Sequence, residues 1–181
     1  MRVQVLYEPY RHYELSITFM RIIAIDPGYE RLGIAILEKT TKEHLLFSEC
    51  FKTPPSLPFV ERLELLGREV ARVIEEFSPE ALAIENLFIS NNQKTAMRVA
   101  EVRGAILYQA RLLGLVVYEY TPLQIKTATT GYGKATKEQV ASLVGKIIPE
   151  ARSLKQDDEV DAVAIGITHF AYAGHQKRLS G

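Results

Sequence analysis

The sequence predicts an α/β domain built on a mixed five-stranded sheet flanked by helices. Three observations carry this expectation. Three short apolar runs succeed one another between residues 21 and 50 with only brief polar connections, the pattern of an antiparallel meander. From residue 59 onward, segments with helical apolar spacing alternate with short apolar runs, the pattern of α/β units. Proline- and glycine-bearing joints, among them Pro27-Gly28, Pro54-Pro55, Gly114 and Pro122, separate these segments.

Residues 21–26 (RIIAID), closed by Pro27-Gly28, read as a buried strand ending in a turn. Residues 33–38 (GIAILE) and 45–50 (LLFSEC) supply the next two strands. Pro54, Pro55 and Pro58 break the chain, and residues 59–77 then place Leu63, Leu66, Val70, Val73 and Ile74 on one helical face. Residues 81–85 (ALAIE) form a fourth strand. A second helix covers 94–113, with Ala96, Val99, Ala100, Ile106, Leu107 and Ala110 among its apolar positions and Gly114 as its stop. A fifth strand follows at 115–118. Pro122 opens a short helix, Tyr132-Gly133 marks a loop, and 136–147 is a helix in which Thr136 and Gln139 have capping-box spacing. The last helix covers 157–173. With the short Pro122 helix set aside, the order is β-β-β-α-β-α-β-α-α.

The chain has 181 residues, enough for one domain with a sizeable core and too few for two. No apolar run is long enough to span a bilayer, so no membrane partner is expected. The first twenty residues carry Arg2, Glu8, Arg11, His12 and Glu14 and lack the apolar stretch of a signal peptide. The single cysteine, Cys50, has no partner for an internal disulfide, and a cytoplasmic location is expected. A multi-cysteine zinc site is excluded, and the four histidines lack H-E-x-x-H spacing. Formal net charge is zero, but residues 92–152 hold nine basic side chains against four acidic ones. That surplus suits a polyanion, although mixed-sign helix surfaces are its plainer reading.

Four acids stand where such a fold could gather them. Asp26 ends the first apolar strand, Glu85 ends the fourth, and Asp158 and Asp161 lie three apart at the start of the last helix, on one face. Ligand sites in these sheets favour strand ends, and a carboxylate there is costly unless paired or bound to a cation. Converging carboxylates suit hard divalent ions such as Mg²⁺ or Mn²⁺, and two such ions can activate water and stabilise the leaving oxygen of a phosphodiester. Each acid also has a plainer reading. Asp26 fits a turn, Glu85 a strand-end surface acid, and Asp157 or Asp158 a helix N-cap. Asp161 has the weakest one, because Val160, Ala162, Val163, Ala164 and Ile165 make its helix almost wholly apolar. The helix dipole favours ionised Asp158 and Asp161. His169 lies eight positions after Asp161, about 12 Å along the axis, too far for a shared metal, and a structural role is expected.

The segments IDPGYERLG, AIENLFISNN and DDEVDAVAIGITH resemble, in order and spacing, the three acidic motifs of the RuvC family within the ribonuclease H-like superfamily. Between them, RVAEVRGAIL resembles the family's second helix and YTPLQIKTATTGYGKATKEQV its basic junction-contacting region. The similarity covers residues 20 to about 169, and the last motif is the most diagnostic. The resemblance implies a ribonuclease H-like fold and a homodimer that binds a four-way (Holliday) DNA junction and nicks two strands of like polarity. It leaves 5′-phosphate and 3′-hydroxyl ends and prefers a short thymine-containing sequence. By motif position Asp26, Glu85, Asp158 and Asp161 are the catalytic, metal-binding acids, holding two Mg²⁺ ions for which Mn²⁺ can substitute. Some relatives carry His at the position of Asp158. The family motif leaves Asp157 as a cap or a solvated acid. Lys126 and Lys137 match basic positions near the cleaved strand, and Phe88 an aromatic that stacks on junction bases. The branch-migration motor RuvA–RuvB is the implied protein partner.

Residues 1–19 have no counterpart in the resemblance, while Met20-Arg21-Ile22-Ile23 matches a natural family start. The expected organisation is therefore an N-terminal extension or mis-assigned start at 1–19, a resolvase domain at 20–174 and a C-terminal tail at 175–181. Two other readings share much of this ground: a ribonuclease H-like nuclease acting on RNA–DNA hybrids or damaged DNA, and a junction-binding protein without cleavage. A kinase-like reading of the D-x-G turn fails on length, since no second domain is available to close over ATP. A protein begun at Met20 is expected to fold and to cleave junctions as the full chain does. Loss of solubility or of cleavage on truncation would make the head an integral part.

Overall fold

The computed structural model describes residues 20–87 and 93–179. Strands β1 (Met20–Asp26), β2 (Arg31–Lys39) and β3 (Glu43–Lys52) form the expected meander. Helix α1 (Phe59–Phe77) leads to β4 (Ala81–Glu85), and α2 (Gln93–Leu112) to β5 (Val116–Tyr120). Three further helices follow, α3 (Pro122–Thr130), α4 (Lys137–Ile147) and, after a 3-10 turn at Pro149–Ser153, α5 (Asp157–Leu179). The sheet order is β3-β2-β1-β4-β5, antiparallel on the meander side and parallel from β1 through β4 to β5. Residues 1–19 lie outside the described residues, as does Phe88.

Element types agree with the sequence reading; boundaries moved where tertiary pairing sets them. β5 was expected at 115–118 but runs to Tyr120, because its parallel register with β4 places Tyr120 opposite Glu85. The apolar run breaks at Glu119, yet this edge strand tolerates an exposed acid there and Arg103 of α2 pairs with it. α5 runs to Leu179, past the expected end at residue 173. Helices α3 and α4, which bear Lys126 and Lys137, begin at capping boxes: Thr121 accepts from Gln124 N–H at 3.2 Å, and Thr136 from Gln139 N–H at 3.3 Å.

The central strands read as unbroken apolar runs because both faces of the sheet are covered. Ile23, Ile25, Ile34, Ile36, Leu82 and Ile84 meet Leu66, Val70 and Val73 of α1 and Val102 and Ile106 of α2. The other face is lined with small side chains, Ala24, Ala35 and Ala83, and carries α3, α4 and α5. That surface lets α5 lie close. A Cβ on Gly166 would come within 2.4 Å of Leu37 Cδ1. A Cβ on Gly33 would come within 2.1 Å of the Asp158 carbonyl oxygen and 3.2 Å of the Asp26 Cβ. Gly33 pairs with Asp26 across the β1–β2 ladder, so one residue without a side chain lies between the end of β1 and the start of α5.

Gly33→Ala therefore forces backbone to move. It is expected to destabilise the protein by about 1–3 kcal/mol, as overpacking does elsewhere. Urea unfolding checks this: the midpoint should fall with the slope unchanged, and an unaltered midpoint would mean α5 has room to retreat.

Candidate active site

Strand register brings the first two acids together. β1 and β4 run parallel with Ile25 opposite Ile84, so Asp26 and Glu85 leave the sheet side by side at its carboxyl edge. Arg103 of α2 secures that end of β4, donating to the Glu85 carbonyl at 3.1 Å and to Asn86 Oδ1 at 3.0 Å. Asp161 enters from the first turns of α5, Lys126 from α3 and Lys137 from α4. These five residues, with Pro122, Ile125, Val140 and Ile165 as apolar walls, line one cleft of about 280 Å³. Lys137 Nζ donates to Asp161 Oδ2 at 3.0 Å.

Asp158 is the exception among the expected acids. It shares a helix face with Asp161 but does not line the cleft. Its Oδ2 instead accepts from the Arg31 guanidinium, and the Cys50 thiol stands 3.5 Å from the same oxygen. Asp157 is exposed within the first turn of α5 and is not its cap, because the Gln156 carbonyl accepts the Val160 N–H at 3.4 Å. His169 is buried, with Tyr120 Oη 2.9 Å from its Nδ1, and burial lowers its pKa to about 4, so it is a neutral core residue as its spacing implied. Sequence reading gave no site role to Arg31, Cys50 or Arg103. Nothing local marks them, since Arg31 meets its carboxylate partner only through the tertiary fold.

Burial pushes the Asp26 carboxyl up to about 7, helped by repulsion from Asp161, Glu85 and Asp158 and opposed by Lys137. Burial and Asp161 likewise raise Glu85, against Lys137 and Lys126. Carboxylates so destabilised in their charged form call for a cation. The donor set fits a hard divalent metal: Asp26, Glu85 and Asp161 offer carboxylate oxygen to one cleft, and no described residue donates a hydrogen bond to the Asp26 side chain. With Lys137 on Asp161 and Arg31 on Asp158, no three Asp, Glu, His or Cys side chains among the described residues stand close enough to share an ion as they are placed. Both ion pairs are solvent-accessible side-chain contacts that rotation can undo.

A family model described as crossover junction endodeoxyribonuclease RuvC matches residues 22–169. The crossover junction endodeoxyribonuclease RuvC of Desulfitobacterium hafniense (strain DSM 10664 / DCB-2) is 40% identical over 165 residues, 90% of this chain and 99% of its own. Among solved structures, T. thermophilus RuvC in complex with Holliday junction substrate superposes with a TM-score of 0.80 at 36% identity, covering 85% of this chain and 94% of that one. The yeast mitochondrial Holliday junction resolvase Ydc2 gives a TM-score of 0.68 at 14% identity over 88% of this chain and 81% of that one, which is a likeness of fold.

The raised Asp26 carboxyl has a measurable consequence. Its folded value, about 7, lies above the ordinary 3.8, so its stabilising contribution is complete below about pH 4 and is lost as pH rises through 7. In metal-free protein, wild type should lose on the order of 2 kcal/mol relative to Asp26→Asn between pH 5 and pH 8. Urea unfolding in EDTA at both pH values checks it, and parallel profiles would mean Asp26 is not strained.

Proposed function

The chain belongs to the RuvC family of crossover junction endodeoxyribonucleases, and from that premise we propose that it resolves Holliday junctions. It nicks two strands of like polarity at a four-way DNA junction, leaving 5′-phosphate and 3′-hydroxyl ends. The observation that carries this reading is the convergence of Asp26, Glu85 and Asp161 on one cleft alongside Lys126 and Lys137.

Asp26, Glu85 and Asp161 would hold divalent metal, Mg²⁺ with Mn²⁺ able to replace it, and Asp158 extends the set to one sufficient for two ions. When bound, the metal supplies a water of lowered pKa and positive charge for the leaving oxygen. Lys126 and Lys137 present ammonium groups to the phosphodiester. Pro122, Ile125, Val140 and Ile165 limit water in the cleft, which strengthens each charge interaction there. Asp26 must give up its proton before it can act as a ligand, so metal affinity rises as pH passes about 7. Phe88 takes the base-stacking role that the family resemblance implies.

Two nicks need two sites, and a two-fold homodimer supplies them on a substrate of matching symmetry. Supporting this, α2 carries Met97, Tyr108 and Leu112 exposed on one helical face, interrupted by Glu101, and a second copy would cover these apolar side chains. In this reading residues 20–174 are the catalytic unit, 1–19 an extension or a mis-assigned start, and 175–181 a tail whose first residues continue α5. The enzyme works in the cytoplasm with the RuvA–RuvB branch-migration motor. No helix among the described residues is long and apolar enough to cross a membrane.

The test is incubation with a synthetic four-way junction and Mg²⁺, with linear duplex and an RNA–DNA hybrid as controls. Paired, religatable nicks confined to the junction are expected, and preferential cutting of the hybrid would overturn the resolvase reading. Asp26→Asn and Asp158→Asn should retain junction binding and lose at least about a hundredfold in rate, since even partners of ligands commonly cost 10–100-fold. Asp157→Ala should cut at nearly the wild-type rate. An inactive Asp157→Ala beside an active Asp158→Asn would shift the last motif by one residue.

A further inference from the structure

Asp158 and Asp161 share one face of α5, yet only Asp161 faces the cleft. The Asp158 backbone is packed against Gly33, where a Cβ would come within 2.1 Å of its carbonyl oxygen, so the side chain is the part with room to turn. It is held away by Arg31, whose Nη2 donates both to Asp158 Oδ2 and to Gln156 Oε1, the latter at 2.9 Å. The Cys50 thiol faces the same Asp158 oxygen. The Arg31 side chain is 44% exposed and that of Asp158 21%, so the pair lies within reach of a ligand arriving from solvent. Exposed pairs of this kind are weak, whereas a phosphodiester offers a guanidinium two oxygens in matching geometry.

We propose that Arg31 is a positioning residue, a latch that holds Asp158 out of the metal cleft in the free protein and is drawn off by a backbone phosphate of bound DNA. This rests on the resolvase reading and deepens it. Asp158 joins Asp26, Glu85 and Asp161 only once a strand lies across the cleft, so metal and DNA each strengthen the other's binding, and by linkage the two effects are equal. A full metal complement without substrate is thereby disfavoured.

The readout is metal binding rather than turnover. Mn²⁺ titrations of DNA-free protein, followed by electron paramagnetic resonance, compare wild type, Arg31→Gln and Arg31→Lys. Arg31→Gln should bind Mn²⁺ about threefold to fivefold more tightly, the most that an exposed ion pair can withhold. Arg31→Lys, which keeps the charge, should stay close to wild type. In the Asp158→Asn background, Arg31→Gln should have no further effect. Junction affinity by fluorescence anisotropy, with Ca²⁺ as the metal probe, should improve on adding Ca²⁺ for wild type and improve less for Arg31→Gln. Unchanged or weaker Mn²⁺ binding by Arg31→Gln, or tightening that persists with Asn at 158, would overturn the latch. Junction cleavage by the wild-type sample separates the two ideas: cleavage with no Arg31 effect sinks the latch alone, and tightening without any cleavage sinks the resolvase reading alone.

Discussion

The close approach of α5 to the sheet at Gly33 sets the geometry on which the site depends. Asp26 lies across the ladder from Gly33, and the Asp158 carbonyl rests where a Gly33 side chain would be. Alanines beneath the helix, Ala24, Ala35 and Ala83, keep that face of the sheet shallow, and Gly166 lets the next part of the helix follow it down onto Leu37. Larger side chains at these positions would raise α5 and carry Asp161 away from Asp26 and Glu85. The opposite face, filled by isoleucines against α1 and α2, has no such requirement and shows none of this economy of size.

Packing of this tightness holds like charges together against their own repulsion. Burial and three neighbouring acids disfavour the Asp26 carboxylate, and Lys137 does not fully offset them. The basic groups are distributed unevenly. Lys137 and Lys126 face the cleft, Arg31 draws Asp158 to one side, and Arg103 is committed to the end of β4. The cleft is therefore a region of stored electrostatic strain that the apolar core on both faces of the sheet sustains.

Much of this was legible in the sequence because it rests on local signals. Asp26 closing an apolar run before Pro-Gly, Glu85 closing another, and Asp161 as a lone acid in an apolar helix each mark a charge at the edge of a core. The Thr136–Gln139 capping box placed α4, and with it Lys137, to the residue. What escaped reading depends on contacts between distant segments. The end of β5 is set by pairing with β4, and the direction of the Asp158 side chain by Arg31 on another strand. Helical spacing told correctly which face Asp158 occupies, but a face does not determine a rotamer when a guanidinium is in reach.

The parallel pairing of β1 with β4 also governs when the enzyme comes into being. β1, β2 and β3 are close in sequence and can pair as a hairpin array as soon as they exist, but β1 meets β4 only after α1 has been laid down between them. Asp26 therefore spends the early life of the chain beside an unfilled position in the sheet, and Asp161 arrives with the last helix of all. Contacts so distant along the chain carry the larger loop-closure cost. A chain in which α5 has not yet been made lacks Asp161, and so lacks the full acid set of the cleft. For an enzyme that cuts DNA, that ordering ties the complete acid set to completion of the chain.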